Sequence, residues 1–230
     1  MKKKLSPTAI LFLGFGIIIL LGALLLMIPS ASKDGVSVSF IDALFVSASA
    51  GCVTGLTPVN TSETWTLFGQ IVILVLIQIG GIGFMTFLTM IMILFKQRIG
   101  LYNKTILMQS AGTFNIALVK PLIKQIAILT FVFETIGAIL LTVFFWPQHG
   151  VESIWLGVFH SISAFCNSGF DLFGDSLVGY SNNIGVILTV SSLIICGALG
   201  FIVWYDMFKS KFKFGSILLL LCFFSLVRQI

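Results

Sequence analysis

Long apolar runs and short polar breaks alternate along this chain in an order that occurs twice. Residues 9–28 are apolar for long enough, at about 1.5 Å per residue, to cross roughly 30 Å of hydrocarbon, which predicts an outer membrane helix. A polar stretch follows, with Asp34-Gly35 marking a turn at the outer surface. Residues 40–50 carry Ile41, Leu44, Phe45 and Ala48 at helical spacing but are too few to span. They predict a re-entrant pore helix whose carboxyl end points at the membrane centre, where the helix dipole favours a cation. Residues 51–57 are expected as extended backbone, and 66–95 as a long inner helix. The series then comes again, as an outer helix over 122–145, a pore helix over 152–165, a turn over 166–171 and an inner helix over 182–208.

The two series match residue by residue. SASAGCVTGLT at 47–57 is echoed by SISAFCNSGF at 161–170, with Ser47, Ser49, Cys52, Thr54 and Gly55 standing 114 positions before Ser161, Ser163, Cys166, Ser168 and Gly169. Gly22-Ala23 is answered by Gly137-Ala138, and Gly80-Gly81-Ile82-Gly83-Phe84 by Gly197-Ala198-Leu199-Gly200-Phe201. Small residues at the latter spacing let helices approach closely in lipid; they serve equally as a flexible point in an inner helix. Irregular backbone at membrane depth is tolerated only inside protein or beside a water-filled cavity. Gly55 and Gly169 can take positive φ and present bare carbonyls, and rings of carbonyls replace the hydration shell of an alkali cation. An ordinary glycine turn between short helices is the plain alternative for either turn alone; the second copy favours the pore.

Composition places the chain among polytopic membrane proteins, since 58% of its residues are apolar and only 9% charged. The apolar run after Lys2, Lys3 and Lys4 exceeds a signal core and lacks a small-x-small site, so a permanent span is expected. Basic residues fall on alternate connections: the amino terminus, Lys96 to Lys124, and Lys209 to Lys213. By the positive-inside rule these are cytoplasmic and the pore turns enter from outside. Asp34, Asp42, Glu63, Glu152, Asp171 and Asp175 make the outer face acidic, either concentrating cations or simply decorating solvated loops. Trp146 and Trp155 bracket the outer interface.

Cys52, Cys166, Cys196 and Cys222 form no metal-spaced cluster and are expected to pack as small apolar residues, the first two behind the pore turns. Glu134 lies mid-span in the second outer helix, a costly place for a carboxyl. It faces either a buried polar partner or the ion path. Residues 100–120 read as an amphipathic segment along the inner surface, against lipid or a soluble partner. His160 and Ser168 would admit an intramembrane serine protease of the rhomboid type. The first series carries Val46 and Thr54 at those places, which argues against it.

FIDALFVSASAGCVTGLTPVNT, FGQIVILVLIQIGGIGFMTF and FHSISAFCNSGFDLF resemble the Trk/Ktr/HKT superfamily of potassium transporters, most of all the membrane subunit of bacterial Ktr-type systems. The likeness runs to Lys213. It implies an all-α membrane protein of tandem outer helix, pore helix, filter loop and inner helix repeats of the potassium-channel type, four of which form a pore with one filter glycine each. Here the filter would be Val53, Thr54, Gly55 and Leu56 in the first loop and Asn167, Ser168, Gly169 and Phe170 in the second. Carbonyls of Val53, Thr54, Gly55, Asn167, Ser168 and Gly169 would hold potassium. Glycine at residue 55, where sodium-preferring relatives carry serine, implies potassium. The family further implies a cytoplasmic nucleotide-binding regulatory subunit (KtrA/TrkA-like) docked on the basic inner loops. No covalently bound cofactor and no nucleic acid are expected.

The chain departs from that pattern in holding two repeats, residues 1–98 and 121–208, joined by a cytoplasmic segment at 99–120 and followed by a basic loop and apolar tail at 209–230. The gating helix of the third repeat and the basic residue of the fourth inner helix have no counterpart. The expected function is potassium uptake across the cell membrane through a pore lined by these carbonyls, with a truncated, inactive fragment as the alternative; truncation is favoured over a homodimer that completes the ring.

Overall fold

The structure is a computed structural model describing residues 7–83, 86–87, 119–200 and 203–204. It is all-α, with no strand among the described residues beyond one isolated bridge between Ser32 and Trp65. Helices α1 (Pro7–Leu26), α2 (Phe40–Gly51), a single turn α3 (Thr61–Thr64) and α4 (Leu67–Ile82) make the first half. Helices α5 (Val119–His149), α6 (Ser153–Phe165) and α7 (Ile184–Ala198) make the second. The apolar body of α5 is long enough to cross a bilayer, whereas α2 and α6 are not.

Capping residues set where these helices start. Ser39 accepts the Asp42 amide at 3.2 Å and donates to its carboxylate at 2.7 Å, opening α2. Thr66 opens α4, and Asn183 accepts the amides of Gly185 and Val186 to open α7. Between α1 and α4 the outer loop is stitched by Lys33 N–H to Thr64 and Thr66 N–H to Ala31, each at 2.9 Å.

The core lies where the pore helices meet the inner helices, around Trp65, Ile73, Ile77, Phe145 and Phe159, all fully buried. Large apolar side chains also cover the outside: Phe12, Phe131 and Ile184 are each more than 70% exposed. Faces of that kind suit lipid rather than water.

Both halves use the same contacts. Ser47 Oγ donates to the Ile19 carbonyl at 2.7 Å, and Ser161 Oγ to the Glu134 carbonyl at 2.7 Å. Gly22 faces Ser47 and Leu76 with no room for a Cβ, and Gly137 faces Ser161 and Leu193 in the same way. Close approach of α1 to α2 and of α5 to α6 therefore rests on glycine in each half.

The inner helices differ from expectation. A continuous helix over 66–95 is not what forms: α4 stops at Ile82, Gly83 takes φ 86°, and helix resumes by Thr86 and Phe87, whose N–H reaches the Gly83 carbonyl at 2.9 Å. Similarly α7 stops at Ala198, Gly200 takes φ 80°, and Val203 and Trp204 are helical again. A residue of left-handed φ cannot continue a right-handed helix, so the small-residue motif breaks each helix as well as packing it. The amphipathic segment expected at 100–120 lies, up to residue 118, outside the described residues, as do the tail at 214–227 and Cys222.

Candidate functional site

Each pore helix runs directly into a turn built on the same hydrogen bonds. The amides of Val53 and Thr54 reach back to Ala50 and Ser49 at 3.2 and 2.9 Å, and those of Asn167 and Ser168 to Ala164 and Ser163 at 3.0 and 2.8 Å. Val53 (φ 59°) and Gly55 (φ 73°) are left-handed with Thr54 between them, and so are Asn167 (φ 58°) and Gly169 (φ 78°) around Ser168. A run that alternates backbone hand turns successive peptide groups to one side, unlike an extended strand, where they alternate. Val53 adopts this conformation although β-branched, a local strain of the kind that functional sites store, whereas asparagine, as at residue 167, tolerates it.

Among the described residues, no hydrogen-bond donor reaches the carbonyls of Val53, Thr54, Gly55, Asn167, Ser168 or Gly169. The carbonyl of Phe170 differs, accepting Ser163 Oγ at 2.6 Å. The two turns lie against each other. A Cβ on Gly55 would overlap the Ser168 carbonyl oxygen and come within 3.2 Å of Gly169 Cα. The two turns are covered differently: Ser168 and Phe170 are buried where Thr54 and Leu56 are exposed, while Asn167 and Gly169 are exposed where Val53 and Gly55 are half-buried.

Inner-helix glycines clamp the entries to both turns. Gly80 lies against the Gly51 carbonyl and Gly197 against the Phe165 carbonyl, each without room for a methyl. Gly81 meets Cys166 in the same manner. Cys166 is buried behind its turn as expected; Cys52 is exposed, because α4 covers Cys166 across the seam between the halves while no described element covers Cys52.

Glu134 meets a polar partner, Gln78, whose Nε2 lies 2.9 and 3.1 Å from the two carboxylate oxygens. Sequence reasoning passed over Gln78 and also Gln70, which accepts Trp155 Nε1 at 2.6 Å and donates to the Trp65 carbonyl. A glutamine inside an apolar helix is a signal that could have marked both. His160 does not meet Ser168. Its Nδ1 lies 2.7 Å from the Leu156 carbonyl and its Nε2 accepts the Leu172 amide at 3.3 Å, so the neutral ring ties α6 to the outer loop. Ser168 Oγ is buried with no hydrogen-bond partner among the described residues. A serine without its base is no nucleophile.

Residues 10–218 match the model of the TrkH family, described as cation transport protein. The chain belongs to that family. The match passes Lys213 by a few residues, further than the motifs suggested. The chain is 44% identical over 206 residues to the potassium/sodium uptake protein NtpJ of Enterococcus hirae, covering 89% of this chain and 46% of that protein. It is 39% identical over 209 residues to Ktr system potassium uptake protein B of Bacillus subtilis, covering 90% of this chain and 46% of that one. Ktr system potassium uptake protein D of the same organism is 35% identical, with 86% and 45% covered. The chain thus spans a little under half the length of these relatives. TrkH-family members are membrane transporters and not enzymes, which agrees with the separation of His160 from Ser168.

Proposed function

We propose that this chain supplies two tandem pore repeats, residues 1–98 and 121–208, to a cell-membrane pathway for potassium uptake. The ion would be held by carbonyls of Val53, Thr54 and Gly55 from one turn and Asn167, Ser168 and Gly169 from the other, with Leu56 and Phe170 closing each filter segment. The observation that carries this reading is the side-by-side contact of two turns of matching, alternating backbone hand. Carbonyls left unengaged by described donors are the ligands a dehydrated alkali cation needs. The potassium uptake named for its relatives supports the choice of ion.

Two turns make half of a fourfold ring. The other half comes from two further repeats, in a second copy of this chain or in additional sequence, related by an axis through the filter. The basic amino terminus and inner connections face the cytoplasm, where they would receive a nucleotide-binding regulatory subunit. Expression of this chain in a bacterium lacking its own potassium uptake tests the reading. Growth on low potassium that vanishes with Gly55→Asp supports it. No growth at normal membrane abundance shows an inactive fragment.

A further inference from the structure

Glu134 holds α5 to α6 through its backbone, since its carbonyl accepts Ser161 Oγ. In the first half Ile19 makes the equivalent bond with Ser47, so an apolar side chain suffices for that contact. The carboxyl group of Glu134 has a separate occupation. Its two oxygens share the Gln78 amide nitrogen, at 2.9 and 3.1 Å, and Gln78 Oε1 accepts the Cys166 thiol at 3.6 Å. That last contact is long, as sulfur's radius allows, and weak. Packing reinforces it, because Cys166 is buried and its Sγ occupies the space a Cβ on Gly81 would need.

Three side chains from three elements thereby join the second outer helix, the first inner helix and the residue immediately before Asn167. A free amide can rotate end for end and present its NH2 to the thiol, which is a poor acceptor. With its NH2 end anchored on the Glu134 carboxylate, the amide turns Oε1 towards Cys166. Ile19 and Ile195 stand at the places of Glu134 and Gln78 in the other half of the repeat, so this polar chain belongs to the seam between the halves.

We propose that Glu134, acting through Gln78 and Cys166, is a positioning residue for the second filter turn. It sets the carbonyls of Asn167 to Gly169 against those of Val53 to Gly55 and so governs cation affinity. The inference rests on the pore reading above.

The test uses the full chain with Cys52, Cys196 and Cys222 changed to serine, in native membranes. Alkylation of Cys166 by N-ethylmaleimide reports its hold on Gln78 without any transport. Glu134→Leu and Gln78→Leu are expected to speed labelling about threefold, a factor that suits the loss of a weak thiol hydrogen bond. The swap Gln78→Glu with Glu134→Gln, which restores a donor and acceptor pair, returns it towards the parent rate. Glu134→Gln alone keeps the shape and gives an intermediate rate, and it carries the comparison if the leucine variants fail to accumulate. In uptake assays the same variants raise the KM for potassium several-fold while the maximal rate per molecule is kept. Labelling that is unchanged in the Glu134 variants, or a KM that does not move in a transporting parent, overturns the proposal. A parent that labels slowly, speeds up with Glu134→Gln and carries no potassium overturns the pore reading and leaves the coupling of Glu134 to Cys166 standing.

Discussion

Gly55 lies against the carbonyl oxygen of Ser168, so closely that no side chain could occupy its α-carbon. Its partner glycine is less confined: a Cβ on Gly169 would meet only Gly55 Cα, at 3.8 Å. Both are left-handed, at φ 73° and 78°. Alanine at either costs about 1–2 kcal/mol in backbone strain. At Gly55 a clash with backbone adds about 1–3 kcal/mol more. Gly55→Ala should abolish low-potassium growth while Gly169→Ala retains part of it. Equal loss from both would contradict the arrangement.

The inner-helix glycines yield a second comparison. Gly80→Ala and Gly197→Ala each place a methyl into a pore-helix carbonyl, at Gly51 and Phe165 respectively, whereas Gly16 has open space around it. The first two should lower the melting temperature of the detergent-solubilised protein markedly, by an overpacking cost of about 1–3 kcal/mol. Gly16→Ala, in a helix that alanine favours, should leave it unchanged or slightly raised.

Ser47 and Ser161 make matching bonds to the outer helices at 2.7 Å. Alanine at either removes one hydrogen bond and leaves a helix carbonyl already satisfied within its own turn, for about 1 kcal/mol. The two losses should agree in size and add, as those of separate sites do. Thermal unfolding of both single variants and the double variant measures this.

The small polar residues of the two turns are not equivalent. Thr54 Oγ1 lies 2.8 Å from Ser49 Oγ, whereas Ser168 Oγ is buried without a partner among the described residues. Thr54→Val should therefore destabilise by about 1 kcal/mol, and Ser168→Ala should be neutral or mildly stabilising. Potassium-dependent growth should survive Ser168→Ala, because the proposed ion ligand is its carbonyl and not its hydroxyl.

The order of helices, the too-short pore helices and the turns at Gly55 and Gly169 were all readable from the chain, because each is written in neighbouring residues. Apolar periodicity, a run too short to span, and a glycine between small polar residues are local signals, and the repeat at 114 positions read each of them twice. The inner helices were read too long, since Gly80 to Gly83 looks the same whether its glycines pack or break the helix; the positive φ of Gly83 decides for both.

What the chain alone determined is the kind of element over the described residues and the matched small-polar-glycine sequence of the two turns. Only tertiary structure decided which atoms meet: Gln78 with Glu134, Gly81 with Cys166, Gly55 with Ser168. These pairs are distant in sequence and lie across the seam between the halves. No periodicity along one segment encodes the rotation of one helix against another, and it is that rotation which brings the Glu134 carboxyl to Gln78 beside the second turn, where the first half has isoleucine at the equivalent place.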